Sequence, residues 1–356
     1  KVLVLREKLS EIYENLGLPR LIIIAFFIIL LVTAAPLGLN VGSLLSDAIR
    51  RWAMYGVLVL AMVPGVECGI NLNFGVSIGI VAGLLGSTVA IEMAIPNPWL
   101  SLGAAMLTGA LVAAPLGIGY GVLLNRVKGS EMTVSTYVGF SIVAFMNMVW
   151  LSLPFRSGTL IWPLGGQGLR NTISLADSFG GVLNNFMGIR IGDPIQGPFI
   201  PTGLILFFML MCVVVWLFMR SKTGIAMSAA GDNPVFARAT GIDVDRMRIL
   251  GTTISTVLGA IGIITYSQSY GFLQLYNAPL MMGFHCVAAV LIGGATVKKA
   301  KISHAIIGTF LFQGILAVAL PVANKLLPGT NLADVMRIII SNGIILYALS
   351  KTKEGN

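Results

Sequence analysis

Residues 224–248 read GIAMSAAGDNPVFARATGIDVDRMR, a polar stretch between two apolar runs long enough to be helices, Leu204–Met219 and Ile249–Tyr266. Most of the remaining chain repeats that alternation. The stretch is nevertheless helix-forming: Asp232 or Asn233 can cap a helix, Pro234 suits its first turn, and Gly241 can stop it. An ordered loop of this length between membrane spans implies that something outside the bilayer grips it.

Composition supports the membrane reading. Of 356 residues, 56% are hydrophobic and 10% are charged, and the mean hydropathy is +0.90. A soluble domain carries about 25% charged residues. The net charge of +9 does not call for nucleic acid, because 16 of the 23 Lys and Arg residues fall in loops expected on one side of a bilayer. Cys68, Cys212 and Cys286 lack the clustered spacing of a metal or redox site and read as buried small hydrophobes.

A spanning helix needs about 20 apolar residues. Ten runs qualify: roughly 20–36, 44–65, 73–94, 101–124, 132–153, 200–219, 248–268, 279–297, 303–322 and 332–350. The expectation is an all-α polytopic membrane protein with about ten transmembrane helices. Five spans in each half would place the halves in opposite orientations, as in inverted repeats. Residues 1–356 form a single transmembrane domain with a cytoplasmic tail at 1–20, an extracytoplasmic loop at 153–200 and a cytoplasmic loop at 220–248. The segment before the first span holds Glu7, Glu11 and Glu14, which suits a tail better than a signal peptide. The chain starts at Lys1 without a Met, so a little of the natural start is expected upstream. Both termini are expected in the cytoplasm. The pair Arg50–Arg51 fits this topology poorly and requires either snorkelling stems or a later start to the second span.

No GxxxxGK[ST] phosphate loop is present, nor GxSxG, HExxH or C-x-x-C, and His285 and His304 are the only histidines. Enzyme chemistry is therefore weakly supported, and the P-loop route to ATP hydrolysis is excluded. The most unusual intramembrane stretch is Glu67-Cys68-Gly69-Ile70-Asn71-Leu72-Asn73-Phe74-Gly75. Irregular backbone at membrane depth needs protein or a water-filled cavity to satisfy it. Asn71 and Asn73 can donate to and accept from hydroxylated solutes, and Phe74 can stack on a ring. Two readings stand: a substrate route drawing on Glu67, Asn71, Asn73 and Phe74, or a polar turn at the cytoplasmic edge. His285, inside the eighth run, reads as a packing residue or a further part of that route. Gly75, Gly79 and Gly83 share one helix face and predict close helix packing.

Three blocks resemble the ribose-type permease family of ABC importers, whose members move sugars, a furanone-type autoinducer and, in related branches, nucleosides. The first runs from Ala230-Gly231-Asp232-Asn233-Pro234 through Ala237-Arg238-Ala239-Thr240-Gly241-Ile242, similar to the family's coupling loop. The second is Val287–Thr296, similar to its Ala-Ala-Val-x-x-Gly-Gly run, and the third is Gly69–Gly75, where the family reads Gly-Ile-Asp-Leu-Ser-Val-Gly. Asn71 and Asn73 replace the Asp and Ser of sugar-type members, and Gly283 and His285 replace acidic residues, so "ribose" does not transfer directly. Asn73-Phe74-Gly75 leans towards the nucleoside branch. The resemblance implies a non-enzymatic transport subunit of the bacterial inner membrane. It implies coupling residues Gly231, Asp232, Asn233, Pro234, Ala237, Arg238, Gly241 and Ile242. It also implies three partners: a cytoplasmic ATPase, an extracytoplasmic substrate-binding protein and a second permease subunit. ATP and magnesium would sit on the ATPase, with no cofactor or metal on this chain. The alternative is an ion-coupled secondary transporter, against which stands the scarcity of mid-span carboxylates; a membrane-embedded enzyme ranks third.

Overall fold

The computed structural model describes residues 20–161, 169–192, 197–276, 278–326, 338–339 and 342–346. Helices dominate. In chain order they are α1 (Arg20–Ala34), α2 (Val41–Leu60), α3 (Met62–Gly65), α4 (Ser77–Glu92), α5 (Pro98–Arg126), α6 (Glu131–Ser152), α7 (Val182–Asn185), α8 (Thr202–Arg220), α9 (Lys222–Asp232), α10 (Pro234–Ala239), α11 (Val244–Tyr270), α12 (Ala278–Ile292) and α13 (Ile302–Leu326). A π-turn at Val66–Ile70 and a 3₁₀ turn at Phe74–Val76 join α3 to α4. Among the described residues, seven helical segments are long and apolar enough to cross a membrane, and α1 and α12 are shorter apolar helices.

These segments match nine of the ten expected spans; the tenth, 332–350, lies mostly outside the described residues, and nearly all of the 1–20 tail does too. Two boundaries need correction. The run expected over 279–297 stops at Ile292, because Gly294 turns into the left-handed region at φ 100° and Gly293 lies directly against the His304 carbonyl. The second span does not begin late: α2 starts at Val41 and carries both Arg50 and Arg51, with Arg50 paired to Asp47 one turn back.

The helices sort into a centre and a rim. The most apolar stretches of the α2–α3 segment and of α4 are 83% and 89% buried, whereas those of α6 and α8 are each 28% buried. Apolar side chains gain little by leaving lipid for protein, so close backbone approach decides which helices occupy the centre. The glycine face of α4 provides it. A Cβ on Gly79 would lie 2.2 Å from the Thr256 carbonyl oxygen, and one on Gly83 would lie 2.4 Å from that of Ala260, both on α11. Gly86 meets α5 at Gly109 in the same way. The predicted packing face is thus the seam of the bundle, sandwiched between α5 and α11.

Loops expected on one side of the membrane meet one another at each end. At one end, β1 (Thr172–Ser174) pairs antiparallel with β4 (Phe272–Gln274), and β2 (Ile189–Arg190) pairs with β3 (Phe199–Ile200). The Glu92 carboxylate accepts from the amides of Arg156 and Ser157 there, both at 3.0 Å, tying the end of α4 to the connection after α6. The other end carries α9 and α10, the α5–α6 turn and the α12–α13 connection. It holds the candidate site.

Candidate functional site

The polar stretch folds as two short helices, α9 and α10, and its last residues open α11. Ser221 caps α9, and Asn233 caps α10 by accepting from the Phe236 amide at 3.0 Å, with Pro234 in the first turn as the sequence predicts. Gly241 adopts φ 86°, and two bonds close the end of α10: the Gly241 amide to the Arg238 carbonyl at 3.1 Å, and the Ile242 amide to the Ala237 carbonyl at 2.9 Å. That pair of bonds is the Schellman arrangement, which a left-handed glycine makes without Cβ strain. Ala230, Ala237 and Val244 form a small buried cluster beneath the corner, with Ile242 packed against it. Asp232, Pro234 and Arg238 are exposed, and the tip residues Val235 and Phe236 are 79% and 63% exposed.

The helix break lies against this loop. A Cβ on Gly231 would fall 2.1 Å from the Glu67 carbonyl oxygen, and one on Gly69 would fall 3.0 Å from the Gly231 Cα, so α9 and the π-turn touch backbone to backbone. Gly69 makes the bend at φ 81°. Two residues on, Asn71 takes φ 67° and ψ −157°, a region almost reserved for glycine that costs an asparagine about 1–3 kcal/mol. The Glu67 carboxylate fastens the joint. One oxygen accepts from the Ser228 hydroxyl of α9 at 3.1 Å, and the other from the Ala300 amide of the α12–α13 connection at 3.0 Å.

Beyond the joint the break enters the bundle. Asn73 is fully buried: its amide donates to the Ser255 hydroxyl at 3.1 Å, and its carbonyl accepts from the Tyr120 hydroxyl at 2.8 Å. The next residue reaches a narrow crevice. Phe74 and Phe284 lie 5.3 Å apart between ring centres, Phe140 lies 5.9 Å from Phe284, and Ser77 and Thr136 add hydroxyls to the lining. The walls therefore come from the break, from α4, from α6 and from α12.

A second set of contacts ties the loop to α6. Asp245, exposed at the start of α11, pairs with Lys128 at 2.5 Å and with Arg238 at 3.6 Å. Arg248, one turn further, pairs with Glu131 at 2.5 Å with both side chains buried. The other Glu131 oxygen accepts from the Gly129 amide at 2.9 Å and so fixes the α5–α6 turn. Exposed pairs contribute about 0–1 kcal/mol, whereas removing one member of a buried pair costs about 3–5 kcal/mol. Arg248–Glu131 is the anchor of the two.

The expected route residues thus separate. Glu67 sits in the joint with α9. Asn73 faces protein on every side in this conformation, so it does not line open space here. Asn71 is half-buried at the bend, and Phe74 reaches the crevice. His285 lies one residue past Phe284, half-buried and 5.6 Å from the Phe312 ring. All eight expected loop residues from Gly231 to Ile242 belong to the α9–α10 corner. Sequence reasoning missed Glu131, Arg248, Ser228, Tyr120, Ser255, Phe140 and Phe284. Only Glu131 carried a signal, as a carboxylate at the start of an apolar run.

A model of the family described as "Branched-chain amino acid transport system / permease component" matches residues 44–341. The chain is similar to the autoinducer 2 import system permease protein LsrC of Enterobacter sp. (strain 638), with 25% identity over 81% of this chain and 74% of that protein. It is also 25% identical to the LsrC proteins of Yersinia pestis (strain Pestoides F) and Yersinia pseudotuberculosis serotype O:1b (strain IP 31758), over 73% of this chain and 66% of each of theirs. No solved structure matches.

Proposed function

The chain belongs to the branched-chain amino acid transport system / permease component family, and from that premise we propose that it is the membrane subunit through which a separate ATPase drives uptake of a small neutral hydroxylated solute. It is a multi-pass inner-membrane permease of the ribose type. In this reading the α9–α10 end faces the cytoplasm with both termini, and the ATPase holds ATP and magnesium. An extracytoplasmic binding protein delivers solute to the strand-bearing end, and a second permease subunit completes the pathway.

The observation that carries the proposal is the α9–α10 corner. A helix capped at both ends presents Val235 and Phe236 to solvent, while the helix before it is packed without clearance on the break that leads to the crevice. An apolar tip on a rigid mount suits a partner's pocket, and its mount carries displacement inward. ATP-driven closure of the ATPases would push α10, and α9 would move the break between inward-open and outward-open positions.

The crevice favours neutral rings. It holds only about 10 Å³ in this conformation, room for a water, and would have to open to admit a solute; once open, its aromatic faces and hydroxyls suit a sugar, a sugar-derived autoinducer or a nucleoside. An anion would need a cation beside it, and none of the residues that line the crevice is charged. The test is reconstitution. The chain alone should hydrolyse no ATP; assembled with its cognate ATPase, it should support hydrolysis stimulated by loaded binding protein. Autoinducer 2, D-ribose, a nucleoside and leucine form the panel, and leucine alone giving stimulation would overturn the hydroxylated-solute assignment. Turnover by the isolated chain would overturn the division of labour.

A further inference from the structure

Glu67 is a carboxylate in a helix break whose two oxygens reach in different directions. One holds α9 through Ser228, and the other holds the α12–α13 connection through the Ala300 amide. The three segments it joins are otherwise separate in the chain. Each is stiff. The π-turn is pressed on α9 at Gly231 and Gly69. The α12–α13 connection is folded on itself by Thr296 amide to Lys299 carbonyl at 2.9 Å, Lys299 amide to Thr296 hydroxyl at 3.0 Å, and Lys301 amide to His304 Nδ1 at 3.2 Å.

Two of these segments lead to the same place. Seven residues beyond Glu67 the chain reaches Phe74, and α12, which ends at this connection, carries Phe284. Those two rings form one side of the crevice. We infer that Glu67 is a positioning residue that makes α9, the helix break and α12 move as one body, so that displacement of the α9–α10 loop reaches both aromatic walls together. The inference rests on the permease reading and adds to it a specific link. Without the carboxylate, the Gly231 contact would still push the break, but α12 would follow only from its other end, where Gly283 packs on the Phe74 carbonyl and Ser77 donates to the Pro279 carbonyl at 3.1 Å. Coupling of this kind is carried by packed or hydrogen-bonded elements that have two arrangements and that both ends bias.

Glu67→Leu tests this with a side chain of similar bulk that can accept from neither the Ser228 hydroxyl nor the Ala300 amide; glutamine would not serve, because its oxygen could keep the Ala300 amide while its NH2 donates to the Ser228 oxygen. Ser228→Ala removes one hydroxyl and leaves the carboxylate. Nitroxide labels at Met281→Cys on α12 and Leu111→Cys on α5, both exposed, report movement of α12 against the bundle; the three native cysteines are buried. The protein is assembled with its ATPase in nanodiscs, and the interlabel distance is measured without nucleotide and with Mg-ATP plus vanadate. The parent should show a vanadate-induced shift. Glu67→Leu should lose at least half of it, and Ser228→Ala a smaller share. An undiminished shift in both variants, or no shift in the parent, overturns the inference. If Glu67→Leu does not assemble, Ser228→Ala decides alone: a reduced shift supports the link, and an undiminished one overturns it. Failure of the parent to bind any ATPase counts instead against the permease reading, and size-exclusion chromatography of the complex separates the two.

Discussion

Helices α9 and α10 follow one another in a single loop, yet they have opposite surroundings. Gly224, Met227 and Ala230 of α9 are buried, and Gly231 leaves no room for a methyl group against Glu67. In α10 only Ala237 is buried, and Val235 and Phe236 are among the most exposed apolar side chains of the described residues. The hinge between them is Asn233, which both ends α9 and caps α10. The contrast shows that the loop is a mount and a tip, so that a substitution in one should damage folding and a substitution in the other should damage only recognition.

The largest effect is expected beneath the mount. Arg248→Leu leaves the Glu131 carboxylate buried without its cation, and should lower stability by about 3–5 kcal/mol. Thermal unfolding in detergent, compared with the exposed-pair variant Asp245→Asn, measures it. Equal losses in the two would remove Arg248 as the anchor. Next comes Gly231→Ala. Its Cβ meets the Glu67 carbonyl, so backbone must shift, and overpacking of this kind costs about 1–3 kcal/mol. A neutral result in the same unfolding assay would mean that α9 is not pressed on the break. The smallest effect on stability belongs to the tip. Phe236→Asp should change stability by less than about 0.5 kcal/mol, while co-purification of the ATPase falls sharply. Retained ATPase with normal uptake would break the distinction between mount and tip.

The caps of α10 were readable because they are local. Asn233, Pro234 and Gly241 act on amides and carbonyls within four residues, so their chemistry needs no knowledge of the rest of the chain. The packing face of α4 was readable for a related reason: spacing of four residues places glycines on one side of any helix. The role of the break was not. Amides and a carboxylate at membrane depth suit a solute or a protein partner equally, and only the fold shows Asn73 enclosed by Tyr120 and Ser255. Glu92 was likewise silent in sequence, since the amides it satisfies lie more than sixty residues away.

Composition and period by themselves determined that this is a helical membrane protein, roughly where nine of its expected spans lie, and which loop is ordered, because bilayer thickness and hydrogen-bond saturation act on each segment separately. Tertiary structure alone decided that the helix break and the ordered loop are one joint. It also decided that Glu131 belongs to Arg248 and that the crevice is walled by Phe74, Phe140 and Phe284. The physical reason is that these contacts join residues that the chain separates by tens to hundreds of positions. Their partners are selected by which small residues let two backbones touch, and that selection has no local trace.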